Sequence, residues 1–176
     1  TLDFDATDDG FVSGGLLASG NTSKRYTCII GLKNLPASPA ANSKLVGQYR
    51  VSGNQRAWAF YQQAGGRNIQ LNVSKDGTNS VDQLIQAIIT NTAADCVLAA
   101  VSDGTVTRVY KGLTLIDTLA AVGAQSTAPF DIGWDGASAY SDMEMSELIF
   151  LQGVALSDAL RIRATQYVAQ KTGVTI

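Results

Sequence analysis

The run Ile69–Ser74 constrains this chain more than any other feature. Ile69, Leu71 and Val73 alternate with Gln70, Asn72 and Ser74. A period of two sends one set to a buried face and the other to a wet one, which defines a half-buried antiparallel strand. Turn residues bound it, Gly65-Gly66 before and Lys75-Asp76-Gly77-Thr78 after. The same pattern of a short run closed by a turn recurs from end to end. Residues 2–12 read as strand, turn and strand, broken at Asp8-Asp9-Gly10. Further strands are predicted at 26–33, 45–51, 57–62, 84–90, 96–102, 105–110, 113–119, 130–134 and 144–151. Ser52-Gly53-Asn54, Asp103-Gly104 and Lys111-Gly112 turn the chain between them, and residues 34–43, with Pro36 and Pro39, form a loop. Many short strands and one late helix predict an all-β fold of two antiparallel sheets.

The helix is placed at 158–171. Ser157 suits the N-cap, Asp158 puts an acid in the first turn, and Lys171 and Gly173 close the last one. Leu160, Ala164, Tyr167 and Val168 recur at helical spacing and are the expected seam against the sandwich. Tyr26, Cys28, Ile30 and Leu32 share one face of their strand, and alternation puts Trp58 and Phe60 in the core. Cys28 and Cys96 lie in apolar runs, TCIIGL and DCVLAAV, and read as buried thiols. A bridge between them would need Cα atoms closer than about 7 Å.

One domain over 1–176 accounts for the length. The chain opens on Thr1 and is expected to be an excised domain or a processed product. Charged residues are only 16% and the net charge is -2, with no basic stripe, which excludes nucleic acid as the expected partner. No apolar run is long enough to span a bilayer, so no membrane insertion is expected.

The sequence contains no His. That excludes Ser-His-Asp and Cys-His catalysis within this chain and removes the usual zinc ligand. Gly14-Gly15 has neither the spacing nor the context of a nucleotide-binding loop. Asp142, Glu144 and Glu147 in DMEMSE are the carboxylates a glycoside hydrolase would use. Strict alternation puts Glu147 on the opposite face from Glu144 unless a bulge intervenes. Asp5, Asp8 and Asp9 cluster at the first turn, and Asp131, Asp135 and Asp142 near the late loops. They read first as turn chemistry, and as metal ligands they would suit calcium, the one cofactor considered. Sugar recognition calls for an aromatic ring and planar polar groups around it. Trp134, Asp135 and Tyr140 in the loop-rich IGWDGASAYSD are one candidate set, although Trp134 also alternates in step with Phe130 and Ile132 toward the core. Arg108 with Tyr110, and Gln70 with Asn72, share faces of their strands and are the others.

Five pieces, in order, resemble laminin-G-like domains of the concanavalin A-like superfamily. They are the opening TLDFDATDDGFVSG, then YTCIIGLKNL, RAWAFYQQAGGRNIQLNVSKDG, CVLAAVSDGTVTRVYKGLTL, and the closing SDMEMSELIFLQGVALSDALRIRATQYVAQKTGV. Ala6 stands where the family has Gly, and Lys111 where it has Asn. The resemblance implies a jelly-roll β-sandwich with a concave face and one C-terminal helix. Relatives serve as adhesive or sugar-binding modules of secreted enzymes, cell-surface proteins and phage tail fibres or tailspikes. The resemblance therefore implies a non-catalytic module for a cell-surface glycan or polysaccharide, at an extracellular or virion surface, with a homotrimer expected by analogy to tail fibres. A structural, oligomerising domain without its own ligand and a glycoside hydrolase are the alternatives.

Overall fold

The computed structural model describes residues 2–5, 11–12, 24–50, 55–75, 84–120, 130–133 and 142–176. They form strands β1 (Leu2–Asp5), β2 (Phe11–Val12), β3 (Arg25–Lys33), β4 (Ser43–Arg50), β5 (Gln55–Gln62) and β6 (Ile69–Ser74). These are followed by β7 (Leu84–Ile89), β8 (Cys96–Asp103), β9 (Thr107–Lys111), β10 (Thr114–Leu119), β11 (Asp131–Ile132), β12 (Asp142–Gln152) and the helix α1 (Asp158–Thr172). Sheet A runs β1-β12-β3-β8-β9-β10 and sheet B runs β2-β11-β4-β5-β6-β7. Every pairing in both sheets is antiparallel. The described residues therefore form an all-β sandwich with one helix. The turns at Asp8-Asp9-Gly10, 52–54 and 76–78 lie outside the described residues.

Alternation explains which side chains meet. Tyr26, Cys28, Ile30 and Leu32 of β3 and Leu98 and Ala100 of β8 point inward from sheet A. They face Trp58, Phe60, Ile69, Leu71, Val73, Ala87 and Ile89 of sheet B. Trp58 organises this layer: the Tyr26 ring stacks on it at 4.7 Å and 9°, and Phe150 and Phe130 lie 5.6 and 6.2 Å away. Offset aromatic pairs of this kind add about 1 kcal/mol each beyond the area they bury. Cys28 and Cys96 are both buried and free, with no bridge between them. Burial pushes the Cys96 thiol up to about 12 and the Cys28 thiol higher still. Ser74, expected on the wet side of β6, is buried.

A second, smaller core lies on the outer face of sheet A. Ile29, Val97, Ala99, Val101 and Tyr110 pack there against Val168 and Ala169 of α1. The helix begins and ends where the sequence predicts. Gly173 takes a left-handed φ of 79° and returns its N–H to Ala169 O. Two expectations fail. Ser157 occupies the N-cap position but its side chain makes no capping bond. Of the expected seam, Val168 and Ala164 do pack on sheet A, but Leu160 and Tyr167 are 53% and 47% exposed, and Arg161, Thr165, Ala169 and Thr172 are buried instead. The physical reason lies in the opposing sheet. Gly31 has no side chain, so the helix descends onto it, and a Cβ there would stand 2.1 Å from Thr172 Oγ1 and 2.5 Å from Ser146 Oγ. Ser146 bridges the contact, 3.1 Å from Gly31 O and 2.6 Å from Thr172 Oγ1. Arg161 gains the Tyr110 ring, 3.8 Å from its guanidinium carbon, which compensates for burying a charged side chain.

Candidate functional site

With α1 on sheet A, the outer face of sheet B is the broad sheet surface that carries no helix among the described residues. The strand registers lay its outward residues in rows. Lys44, Tyr61, Gln70 and Ile88 form one row across β4, β5, β6 and β7, and Gly47, Ala59, Asn72 and Gln86 form the next. From β5 to β7 the face spans two strand spacings, about 10 Å. The second row starts small of necessity: a Cβ on Gly47 would lie 2.4 Å from Trp58 O and 2.5 Å from Ala59 Cβ.

Burial grades across this face. Lys44, Tyr49 and Asp131 at the β4–β11 side are buried, Tyr61, Gln70 and Asn72 are half-buried, and Gln86 and Ile88 on β7 are exposed. At the buried end Lys44 Nζ sits 2.8 Å from Asp131 Oδ2 and donates to Tyr49 O at 3.1 Å. Both side chains of that ion pair are fully buried. Tyr49 meets the Tyr61 ring edge-on at 5.8 Å. In the middle, the Gln63 amide donates to Gln70 Oε1 at 2.9 Å, and the Gln70 amide donates in turn to Asn72 Oδ1. Each amide in this ladder donates to the next side-chain oxygen, so the Asn72 oxygen is engaged and its amide is the donor at the end of the run. An oriented donor beside half-buried Tyr61 and exposed Ile88 offers polar selection next to apolar contact.

Gln70 and Asn72 were legible as a wet face; Tyr61, Gln86, Ile88 and the ladder partner Gln63 were not singled out. Alternation in 57–62 and 84–89 carried the signal for three of them. Trp134, Asp135 and Tyr140 lie outside the described residues. The described chain reaches Gly133, whose N–H bonds to Leu45 O beside β4.

Arg108 and Tyr110 do lie near each other, but on the helix-covered face of sheet A. Tyr110 is buried under Arg161 and so differs from the exposed ring expected of it; burial raises its hydroxyl. Arg108 pairs with Asp103 at 2.8 Å. Asp103 accepts the N–H of Val106 and of Thr105 as well, and these bonds, Val106 first, hold its carboxyl below the usual value. The two residues line a cavity of about 290 Å³ with Val101, Leu156, Ser157 and Asp158. A larger cleft of about 450 Å³ at the end of sheet A is bordered by Asp95, Lys111, Ile116 and Ile176.

The DMEMSE strand contains a bulge. β12 pairs Glu144 with Lys33 and Met145 with Leu32, then skips Ser146 to pair Glu147 with Gly31. Glu147 therefore shares the outer face of sheet A with Glu144. Glu147 accepts the Tyr167 hydroxyl at 3.3 Å and Glu144 accepts the Asn34 amide. Neither lines either cavity. Asp131, one of the acids considered for calcium, is committed to Lys44. Asp5 stands opposite Asp142 in the β1–β12 register, and Asp8, Asp9 and Asp135 lie outside the described residues. Among the described residues no group of three potential ligands is gathered for a metal, and no helix is long and apolar enough to cross a membrane.

The sequence matches no protein-family model and no curated protein. Solved structures do match. One is of botulinum neurotoxin type C, whose cell entry is described as dependent upon interaction with two ganglioside molecules. The TM-score is 0.65 at 8% identity over 94% of this chain and 42% of that one. Another is the binding domain of botulinum neurotoxin DC in complex with rat synaptotagmin II, with a TM-score of 0.66 at 8% identity over the same shares. A third is the CBM40 of a Ruminococcus gnavus IT-sialidase bound to alpha2,3 sialyllactose. Its TM-score is 0.61 at 16% identity over 93% of this chain and 96% of that one. This chain thus spans less than half of the toxin chains and nearly all of the CBM40. At these identities the likeness is one of fold alone, a two-sheet β-sandwich.

Proposed function

We propose that the chain is a non-catalytic carbohydrate-binding module that takes a cell-surface glycan or polysaccharide on the outer face of sheet B. The observation that carries the reading is the oriented ladder Gln63–Gln70–Asn72 beside Tyr61 and Ile88, on the sheet face away from α1. Vicinal hydroxyls both donate and accept, so a ladder of fixed polarity can select their orientation. Because the ladder is already ordered, less side-chain entropy is lost on binding. Trp134, Asp135 and Tyr140 are proposed as further contacts, since the chain enters them from Gly133 in the same sheet.

A sialyllactose-bound neighbour and a ganglioside-dependent one support a glycan as ligand. The engagement of Glu144 and Glu147 by Asn34 and Tyr167, with neither lining a cavity, supports a module without hydrolase activity. An extracellular setting follows from such a ligand, and the laminin-G resemblance extends it to secreted proteins and phage tail fibres. The edge strand β10, with Leu115 50% and Ile116 39% exposed, favours one second reading, an oligomerising domain. Sedimentation velocity showing a trimer in a chain that binds no glycan would support it.

A glycan array of the chain beside Asn72→Ala and Trp134→Ala variants tests the first reading. Neutral hydrogen bonds contribute about 1 kcal/mol each, so losing those of Asn72 should weaken a hit roughly tenfold. No hit at all sinks the proposal. A hit that survives both variants moves the site off sheet B.

A further inference from the structure

The cleft at the end of sheet A is walled by three separate pieces of chain. Val97 comes from the start of β8, Gly112 and Leu113 from the β9–β10 turn, and Val174 and Ile176 from the tail beyond α1. Its volume, about 450 Å³, is in the range of small-molecule pockets. Two local features shape it. Gly112 takes a left-handed φ of 57°, and a Cβ there would stand 3.1 Å from Ile176 Cγ2, so the glycine lets Ile176 lie against the turn. The β9–β10 register skips Ile116, pairing Leu115 with Tyr110 and Asp117 with Val109. That bulge frees Ile116 from the ladder, and its side chain borders the cleft. Ile116 and Ile176 are both exposed, and both face the same concavity. Exposed apolar side chains gathered in this way mark a binding surface, whereas scattered ones do not.

The charges of the cleft are unevenly placed. Lys111 supplies its cation. Nζ donates to Thr90 O at 3.1 Å, which occupies one of its three N–H groups. No carboxylate among the described residues pairs with Lys111. Asp95, the anion of the cleft, stands toward its other end. It precedes Leu98, the β8 partner of Lys111, by three residues, about 10 Å of chain. There Oδ1 accepts the Asn34 N–H at 2.9 Å. Cys96, between them, registers both charges. Burial raises its thiol first, and Lys111 then pulls it down more than Asp95 pushes it up. The floor of the cleft is thus net positive, the sign that favours an anion.

We propose that this cleft binds a small amphipathic anion, an aliphatic carboxylate whose chain lies against Ile116 and Ile176 and whose head group accepts from Lys111. The apolar walls set the chemistry of the chain, and the methylene stem of Lys111 extends them. The ammonium sets the chemistry of the head. A carboxylate gains a charge-assisted hydrogen bond, a neutral hydroxyl forgoes the charge, and a second ammonium meets a like one. The cleft belongs to sheet A, so this site stands whether or not a glycan binds on sheet B.

The test is an NMR titration of the 15N-labelled chain at pH 7 with octanoate, 1-octanol and octylammonium in turn, each below its micellar concentration. The expected result is saturable shifts of the Val97, Gly112, Ile116, Val174 and Ile176 amides, with octanoate binding tightest. Lys111→Gln should weaken octanoate about tenfold, the loss of one charge-assisted hydrogen bond, and bring it to the level of 1-octanol. Unchanged binding of 1-octanol by the same variant shows that the cleft is intact. Asp95→Asn removes the opposing charge and should tighten octanoate severalfold, a gain that misfolding cannot produce. If 1-octanol binds as tightly as octanoate, the cleft is apolar only and the proposal fails. Tightest binding of octylammonium assigns the cleft to Asp95 and overturns it too. So does a preference for octanoate that survives Lys111→Gln. An oligomeric chain without saturable shifts for any of the three puts a second copy over the cleft, and a monomeric one leaves the cleft without this ligand; either result overturns the proposal.

Discussion

The buried ion pair between Lys44 and Asp131 joins β4 to β11, the short strand from which the chain leaves toward Trp134. Both side chains are fully buried, 2.8 Å apart, and Lys44 Nζ also bonds Tyr49 O. Replacing Asp131 by Asn keeps the shape but removes the carboxylate that Lys44 Nζ meets at 2.8 Å, and breaking a buried pair costs about 3–5 kcal/mol. In a chain of this length each kcal/mol lowers the melting temperature by about 2–4 °C, so Asp131→Asn should melt roughly 6–20 °C below wild type. Lys44→Met should fall in the same range. The double variant, with neither charge buried, should recover most of the loss, and the double-mutant cycle should give a coupling of about 2 kcal/mol or more. Thermal and urea unfolding followed by circular dichroism measure all four proteins. An Asp131→Asn variant within about 0.5 kcal/mol of wild type would refute the reasoning, because only a solvated pair is that dispensable.

Gly31→Ala forces a methyl group into Thr172 and Ser146 and should cost about 1–3 kcal/mol through overpacking, with faster amide exchange along α1. A variant as stable as wild type with α1 fully protected would show that the helix docks elsewhere. Cys28 and Cys96 should be inert to thiol reagents in the native state at pH 8, since burial both shields the thiols and raises them well above that pH, and both should react after denaturation. Their raised folded values give stability that is complete below the unfolded thiol value, ordinarily 9.0, and is lost as pH rises above it. The unfolding free energy should therefore fall above pH 9 with a slope of about 1.4 kcal/mol per pH unit for each thiol. A Cys28→Ala variant that keeps the full slope would contradict this.

The strands were legible because each exchanges a core face for a wet one. Ile69, Leu71 and Val73 declare themselves by alternation, and the helix by Asp158, Lys171 and Gly173. The docking face of α1 was not legible. An apolar seam through Leu160 and Tyr167 is the local optimum, but Gly31 and Tyr110, distant in sequence, draw in Thr172 and Arg161. The bulge at Ser146, which returns Glu147 to the face of Glu144, depends on pairing with β3 and leaves no local mark. Nothing near Lys44 in the sequence marks it as buried, because its partner is 87 positions away. The candidate site was half legible for the same reason. Alternation gives Gln70 and Asn72 a wet face, but only the register sets Tyr61, Ile88 and Gln86 beside them.

The most direct test of the central claim is NMR chemical-shift mapping of the chain titrated with an array-selected glycan. Binding on sheet B predicts saturable shifts centred on Tyr61, Gln70, Asn72, Gln86 and Ile88. Saturable shifts confined to sheet A or α1, with these five residues unmoved, would contradict it.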